Sequence, residues 1–397
     1  MVEWKEISNL GDYFGGLTGK TKKDFENGNA KFITYMNVFS NPSLDVNTVG
    51  MVHINEGERQ NKVQKGDILF SGSSETPDEA GMSCVVTDDL EGDYYMNSFC
   101  FGLRLNNPEL YNLHYFKHVL RSYNIRQAIS KTASGVTRFN ISKARFGKVQ
   151  IPIPSLEEQN RIVGILDTFT DSIENLKQQI AQRRKQYEHY RDQLLDLEGK
   201  EGVEMKTLGE LFTFKNGLNK GKEFFGNGKP IIMFTNVFNS RSIISSMVQS
   251  KVEITDDELK RINAEVGDVF FTRTSETRED VGYASVLLED IKDCTFAGFL
   301  IRARPTTSLL LPKYCKYCFS TPKIRASIVS NCSFTTRASL TGGGLSKVAI
   351  FIPPLSEQQR IISILDTFEA SISNLEAQLA QRQKQYEYYR NQLLTFE

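Results

Sequence analysis

Two polar loops, each following a short apolar segment, carry residue types that can contact nucleic-acid bases. Residues 66–70 and 267–271 are predicted strands, and the loops after them read Ser-Gly-Ser-Ser-Glu-Thr and Thr-Arg-Thr-Ser-Glu-Thr. Reading base edges requires donors and acceptors held on a scaffold, as when arginine donates two hydrogen bonds to guanine. The loops share Ser-Glu-Thr and differ at Gly72 and Arg273, which would let them read different bases. A plain turn is an equally good interpretation of any single residue in them.

Two long stretches without acidic residues supply positive charge. Residues 110–156 contain no Asp or Glu, and residues 294–356 repeat this asymmetry, although the net charge of the whole chain is zero. Charge of one sign, repeated at matching places, is expected of phosphate contacts. A basic surface balanced by acids elsewhere in space is the alternative for either stretch alone. The repetition favours DNA.

One pair of polar residues occurs at the same place in both acid-free stretches. Thr137-Arg138 matches Thr336-Arg337 at an offset of 199 residues. A pair that both segments share is expected to hold phosphate, whereas residues that differ are expected to read bases. The predicted DNA-contacting residues are Lys20, Lys22, Ser73, Ser74, Thr137, Arg138, Lys143, Lys220, Lys222, Arg273, Thr274, Ser275, Thr336 and Arg337.

The elements that must position these residues also occur twice. Residues 148–198 and 347–397 align without a gap at the same offset, and about two thirds of the positions are identical. Apolar residues recur there at spacings of four and three, which predicts a long helix that packs along its length on another helix. Ser155 and Ser356 are expected to cap the two helix starts. The predicted seam residues are Ile162, Leu166, Phe169, Ile173, Leu176 and Ile180, with Ile361, Leu365, Phe368, Ile372, Leu375 and Leu379; Arg183 and Arg382 interrupt the seam.

The order of these parts predicts an α+β protein with two globular recognition domains, each followed by a long helix. The expected boundaries are 1–152 and 199–351 for the domains and 153–198 and 352–397 for the helices. We expect the two helices to pack as an antiparallel coiled coil with pseudo-two-fold symmetry. The alternative is that each helix merely covers its own domain. A helix of about 40 residues is about 60 Å long, so the pair is expected to act as a spacer.

Several classes of function find no support in the sequence. No apolar run predicts a membrane span, no signal peptide is recognised, and the six cysteines are expected to be reduced thiols, which together predict a cytosolic protein. No nucleotide-binding loop or methyltransferase motif is found, and no metal site is expected. His114 and His118 are interpreted as surface or groove residues, and residues 342–344 as a flexible turn.

The motif that begins each repeated helix carries a resemblance to a known family. Ile-Pro-Ser-Leu-Glu-Glu-Gln-Asn-Arg-Ile from Ile153, and its copy Ile-Pro-Pro-Leu-Ser-Glu-Gln-Gln-Arg-Ile from Ile352, resemble the DNA specificity subunit of type I restriction-modification enzymes. The resemblance covers the whole chain. It implies two target recognition domains that bind a bipartite, asymmetric site on double-stranded DNA.

The same resemblance implies the partners and cofactors. Two DNA methyltransferase subunits would bind the chain, and restriction subunits would join through them in a bacterial or archaeal cytosol. The chain itself would hold no cofactor and be no enzyme, because S-adenosylmethionine, Mg and ATP would belong to the partner subunits. A two-headed coiled-coil adaptor for proteins remains the competing hypothesis, since it needs the same helices without the basic stretches.

Overall fold

A computed structural model describes residues 2–396 of the chain. Contacts divide it into two compact units: unit 1 combines Met1–Gln178 with Ala377–Glu397, and unit 2 is Gln179–Glu376. Each unit therefore contains one globular part and segments of two long helices. The bounds of the four segments expected from the sequence remain predictions.

Unit 1 is built from four small sheets and short helices. Its strands are β1 Glu3–Glu6, β2 Gly11–Gly15, β3 Ala30–Ile33, β4 Gly50–Val52, β5 Lys62–Val63, β6 Asp67–Ser71, β7 Ser73–Ser74, β8 Ser83–Val85, β9 Tyr94–Met96, β10 Cys100–Leu105, β11 Ala133–Ser134, β12 Phe139–Ile141 and β13 Gln150–Ile153. Its helices are α1 Tyr35–Ser40, α2 Leu113–Val119, α3 Tyr123–Ser130, α4 Lys143–Phe146 and the first part of α5 Leu156–Leu195. The sheet orders are β2-β10-β6-β8, β4-β3-β9-β5, β11-β12-β7 and β1-β13.

Unit 2 repeats this plan with differences in detail. Its strands are β14 Glu204–Thr207, β15 Phe212–Asn216, β16 Phe225–Ile232, β17 Ser242–Ile243, β18 Lys251–Val252, β19 Val269–Thr272, β20 Thr274–Ser275, β21 Ala284–Leu287, β22 Thr295–Phe296, β23 Leu300–Pro305, β24 Ser333–Phe334, β25 Ala338–Ser339 and β26 Ala349–Ile352. Its helices are α6 Leu208–Leu211, α7 Phe234–Phe238, α8 Asp256–Arg261, α9 Pro312–Cys318, α10 Pro322–Ser330, α11 Gly342–Leu345 and α12 Leu355–Leu393, whose end lies in unit 1. The sheet orders are β15-β23-β19-β21-β17, β18-β16-β22, β20-β25-β24 and β14-β26.

The strand before each polar loop is buried on both faces, as its uninterrupted apolar sequence requires. In β6, Ile68 and Phe70 join one hydrophobic cluster, and Leu69 joins a second cluster on the opposite face. In unit 2, Phe270 of β19 likewise packs in a different cluster from its two neighbours. Successive side chains of a strand point to opposite faces, so each loop starts from a strand fixed between two cores.

Both units contain two antiparallel helix segments packed on each other, which confirms the predicted helix pairing. In unit 1 the ring of Phe169 stacks on Tyr389 at 5.2 Å, and Leu394 shares a cluster with Ile162 near the start of α5. In unit 2 the ring of Tyr190 stacks on Phe368 at 5.3 Å. None of the twelve predicted seam residues is exposed.

The two arginines that interrupt the seam have a structural explanation. The guanidinium of Arg183 lies 5.8 Å from the centre of the Phe368 ring in unit 2. The guanidinium of Arg382 lies 5.6 Å from the Phe169 ring in unit 1. Each arginine therefore covers an aromatic ring of the opposite helix, a favourable cation–π arrangement that replaces the missing apolar contact.

Two local expectations from the sequence are wrong. Ser155 does precede α5, and its hydroxyl accepts a hydrogen bond from the Glu158 N–H at 3.3 Å. Helix α12 already begins at Leu355, so Ser356 is its second residue and not its cap. The three glycines 342–344 do not form a flexible turn; they belong to α11, where Thr341 accepts a hydrogen bond from the Gly344 N–H at 3.0 Å.

Candidate nucleic-acid interface

The structure brings the polar loop and the Thr-Arg pair of unit 1 together in one small sheet. Strand β7 pairs with β12, so that Ser73 lies opposite Asn140 and Ser74 opposite Phe139. Thr137 and Arg138 are exposed in the turn that connects β11 to β12. Two segments more than sixty residues apart in sequence therefore meet in one sheet, where Thr137 and Arg138 are the exposed members.

Unit 2 forms the same sheet with different side chains. Strand β20 pairs with β25, placing Thr274 opposite Ser339. Thr336 and Arg337 are exposed in the turn between β24 and β25. Arg337 lies 3.8 Å from Glu276 with both side chains largely in solvent, so this ion pair is weak.

Gly72 and Arg273 occupy equivalent backbone positions. The Gly72 N–H donates to the carbonyl of Phe99 at 2.8 Å, and the Arg273 N–H donates to that of Phe299 at 2.9 Å. On the other side, the carbonyl of Gly72 accepts from Ile141 at 2.9 Å, and that of Arg273 accepts from Leu340 at 2.8 Å. The same scaffold thus holds a glycine in one unit and an arginine in the other.

Arg273 lines a groove of about 740 Å³ in unit 2. Thr274, Lys220, Lys222 and Phe299 line the same groove. Four predicted contact residues, Arg273 included, are thus brought together with an aromatic ring that was not predicted to contact DNA. Among the described residues, no hydrogen bond or ion pair of the Arg273 side chain is found. Its donors are therefore free to bind a ligand.

Several other predicted contact residues have partners inside their own unit. The Lys20 ammonium lies 2.6 Å from Glu58 and its side chain is only 5% exposed; the hydrogen bond from Lys20 lowers the pKa of Glu58 to about 2. Lys220 pairs with Glu258 at 2.8 Å. Ser73 and Ser74 are buried, whereas Lys22, Lys222 and Lys143 are exposed. Ser275 is half-buried in strand β20, next to the groove residue Thr274.

Some cations of the acid-free stretches face inward, so these side chains are not available to contact phosphate. Arg121 donates to the carbonyls of Ser83, Phe39 and Asn41. Burial lowers the pKa of Arg121 to about 10. Lys117 lies 2.8 Å from Asp167 with its side chain 11% exposed. These cations hold unit 1 together and leave a smaller basic surface than the sequence indicates.

One inward-facing arginine occurs in both units and supports the segment after each polar loop. Arg126 donates to the carbonyls of Asp78, Ala80 and Gly81 at 2.6 to 2.7 Å. Arg325, at the same offset of 199 residues, donates to the corresponding carbonyls of unit 2. The repeat of this arginine was visible in the sequence, but its role was not.

The glutamine of the repeated motif also proves to be structural. Gln159 is buried, donates to the carbonyl of Pro154 at 2.9 Å and accepts from the Asn112 N–H at 2.9 Å. Gln358 repeats this with Pro353 and the Leu311 N–H. The motif therefore fastens the start of each long helix to its globular part, which explains why both copies keep it.

His118 is buried, so its interpretation as a surface or groove residue is wrong. It lies between Asp167 at 2.7 Å and the Tyr386 hydroxyl at 2.9 Å. Burial lowers the pKa of His118, although the hydrogen bond to Asp167 opposes this. His114 is partly exposed, 3.4 Å from the same carboxylate.

The cysteines of residues 2–396 form no disulfide and no metal site. All six cysteines are free thiols, and burial raises the pKa of Cys84 to about 12. Within this range no group of three or more His, Cys, Asp or Glu side chains is placed to hold a metal ion. None of the described helices has the length and apolar character to span a membrane.

Comparison with known proteins gives one consistent family. The model of the type I restriction modification DNA specificity domain matches residues 1–183 and again 200–383. The EcoKI specificity subunit of Escherichia coli K12 is 27% identical over 86% of this chain and 76% of its own length. The EcoR124I/EcoR124II specificity subunit of Escherichia coli is 32% identical over 63% of each chain.

Solved structures agree on the fold. The S subunit of a type I restriction-modification system from M. genitalium is 15% identical, with a TM-score of 0.53 over 100% of this chain and 97% of that one. A chain from a structural study of complex assembly in the type I system is 18% identical, with a TM-score of 0.64 over 99% and 97%.

Proposed function

Because this chain belongs to the family of type I restriction-modification DNA specificity subunits, we infer that it reads a bipartite, asymmetric DNA site with one recognition domain in each unit. Members of this family are the DNA-recognition subunit and not the methyltransferase. In each unit, residues of the small sheet that contains the polar loop read one half of the site.

The proposal rests on one backbone arrangement that holds a glycine in unit 1 and an arginine in unit 2. Gly72 and Arg273 share their backbone hydrogen bonds, yet only Arg273 presents a side chain to its groove. Residues shared by both units cannot account for a difference between the two half-sites, so Arg138 and Arg337 are assigned to phosphate. Arg273 is assigned to a guanine edge, which presents two acceptors in the major groove.

The proposed partners follow from the duplication. Each unit carries its own copy of the motif that begins a long helix, and the exposed Glu158–Arg161 ion pair recurs as Glu357–Arg360, both at 2.7 Å. Two copies of one surface suit two copies of one partner. We assign these partners to two methyltransferase subunits, which would supply S-adenosylmethionine chemistry, with restriction subunits joining through them.

The test begins with the target sequence. Mapping methylated bases in a host that expresses this chain with its partner subunits should yield one bipartite motif. Gel shifts should then show that the assembled methyltransferase prefers a duplex with this motif over a scrambled one. Absence of any DNA binding, even at low salt, would favour the protein-adaptor hypothesis.

Arg273→Ala tests the assignment of one base. We expect it to weaken cognate binding by about 1 to 3 kcal/mol and to relax one base position in one half-site. Arg261→Ala is the matched control, since Arg261 is an exposed arginine of unit 2 outside the residues that line the groove. Equal weakening on every duplex would show that Arg273 binds phosphate instead.

A further inference from the structure

An exposed phenylalanine stands at the tip of a tight turn in each unit. Phe99 follows β9 and is 56% exposed, and Phe299 follows β22 and is 63% exposed. Each turn is closed by a backbone hydrogen bond of 3.0 Å, from Cys100 to the carbonyl of Asn97 and from Leu300 to that of Ala297. Single exposed apolar residues are common on proteins, so exposure alone carries no argument.

The surroundings of these two rings distinguish them from other exposed apolar side chains. The carbonyls of Phe99 and Phe299 accept the hydrogen bonds from Gly72 and Arg273 that fix the two polar loops. The Arg138 guanidinium lies 5.1 Å from the Phe99 ring, and Phe299 lines the groove beside Arg273 and Lys222. Each ring is therefore held at the same place in its unit, next to cations assigned to DNA.

We propose that Phe99 and Phe299 each insert between neighbouring base pairs of one half-site. This inference rests on the proposed function. Apolar side chains next to phosphate-binding cations can enter a base step and partly unstack it, after which the bases stack on the ring. Because the turns are anchored to the polar loops, insertion would also fix the register in which those loops meet the bases.

The assay uses the complex of this chain with its methyltransferase subunits and a duplex carrying the mapped site. 2-Aminopurine replaces adenine at each position of the site in turn, because its fluorescence rises when it is unstacked. With the unaltered protein we expect a rise at one step in each half-site, separate from any base that the methyltransferase itself flips out of the stack. Phe99→Ala should abolish it in one half-site and Phe299→Ala in the other, with binding about 5- to 150-fold weaker.

Two further variants separate insertion from loss of structure. Phe99→Leu should retain the fluorescence rise, since leucine also serves as a wedge. Tyr123→Ala, which removes an aromatic side chain of unit 1 that is 62% exposed, should change neither signal nor affinity. Unchanged fluorescence in both alanine variants would overturn the inference and leave the proposed function standing. Failure of the unaltered complex to prefer its mapped site would overturn both.

Discussion

Replacing Arg126 should destabilise unit 1 far more than an exposed arginine would. Its guanidinium donates three hydrogen bonds to backbone carbonyls of residues 78–81, at 2.6 to 2.7 Å. Hydrogen bonds that involve a charged group contribute about 1.5 to 3 kcal/mol each, and those to the better-exposed carbonyls contribute less. We therefore expect Arg126→Ala to lower the free energy of unfolding by about 2 to 4 kcal/mol.

The chain offers a specific reporter for this measurement. Trp4 is its single tryptophan and lies in unit 1, so its fluorescence follows the urea unfolding of that unit. With an m-value of about 2 to 3 kcal/mol/M, the midpoint should fall by roughly 1 M. Lys131→Ala, an exposed lysine of the same stretch, should leave the midpoint in place. If Arg126→Ala behaved like Lys131→Ala, the carbonyl contacts would not support the loop.

Three further outcomes are expected. Arg138→Ala and Arg337→Ala should each weaken binding to all duplexes and reduce the slope of log K against log salt by about one; a changed sequence preference would contradict this. Burial depresses the pKa of His118 in the folded state. Its contribution to the free energy of unfolding should therefore be fully present above the unfolded pKa of about 6.5, and be lost as the pH falls from there through the folded pKa. His118→Tyr introduces the tyrosine found at the equivalent position of unit 2 and should make the urea midpoint less dependent on pH between 7.5 and 5.5. An unaltered pH dependence would show that other groups cause it. Deleting residues 173–179 together with 372–378 removes one heptad, about 10 Å, from each helix. The DNA gap between the half-sites should then be shorter by about three base pairs. An unchanged gap in methylome mapping would show that helix length does not set the gap.

The long helices and the buried strands could be predicted because their signals are local. Phe169 and Phe368 lie at seam positions of a regular apolar repeat, and β6 and β19 are short apolar runs ending in polar loops. The pairing of β7 with β12 could not be predicted, since the partner of a two-residue strand is set by tertiary contacts more than sixty residues away.

Charge was the least reliable guide, because a sequence records the sign of a side chain but not its depth. Lys117 and Arg126 counted equally with Arg138 in the acid-free stretch, yet only Arg138 is exposed. The neutralising partner of Lys117 is Asp167, fifty residues further along. Arg126 is held by hydrogen bonds to backbone carbonyls, which carry no net charge and so do not appear in a count of charged residues.

The composition of unit 1 has a consequence for how the protein is made. Its core includes Leu394, which clusters with Ile162 and Leu166, whereas unit 2 is one uninterrupted segment. A ribosome adding about 5 to 20 residues per second takes roughly 10 to 40 s to synthesise unit 2 before residues 377–396 emerge. The amino-terminal domain, although translated first, is therefore completed last. A premature stop codon at position 377 would leave every residue of unit 2 in place. It would remove part of the hydrophobic core of unit 1, whose globular domain is encoded at the opposite end of the gene.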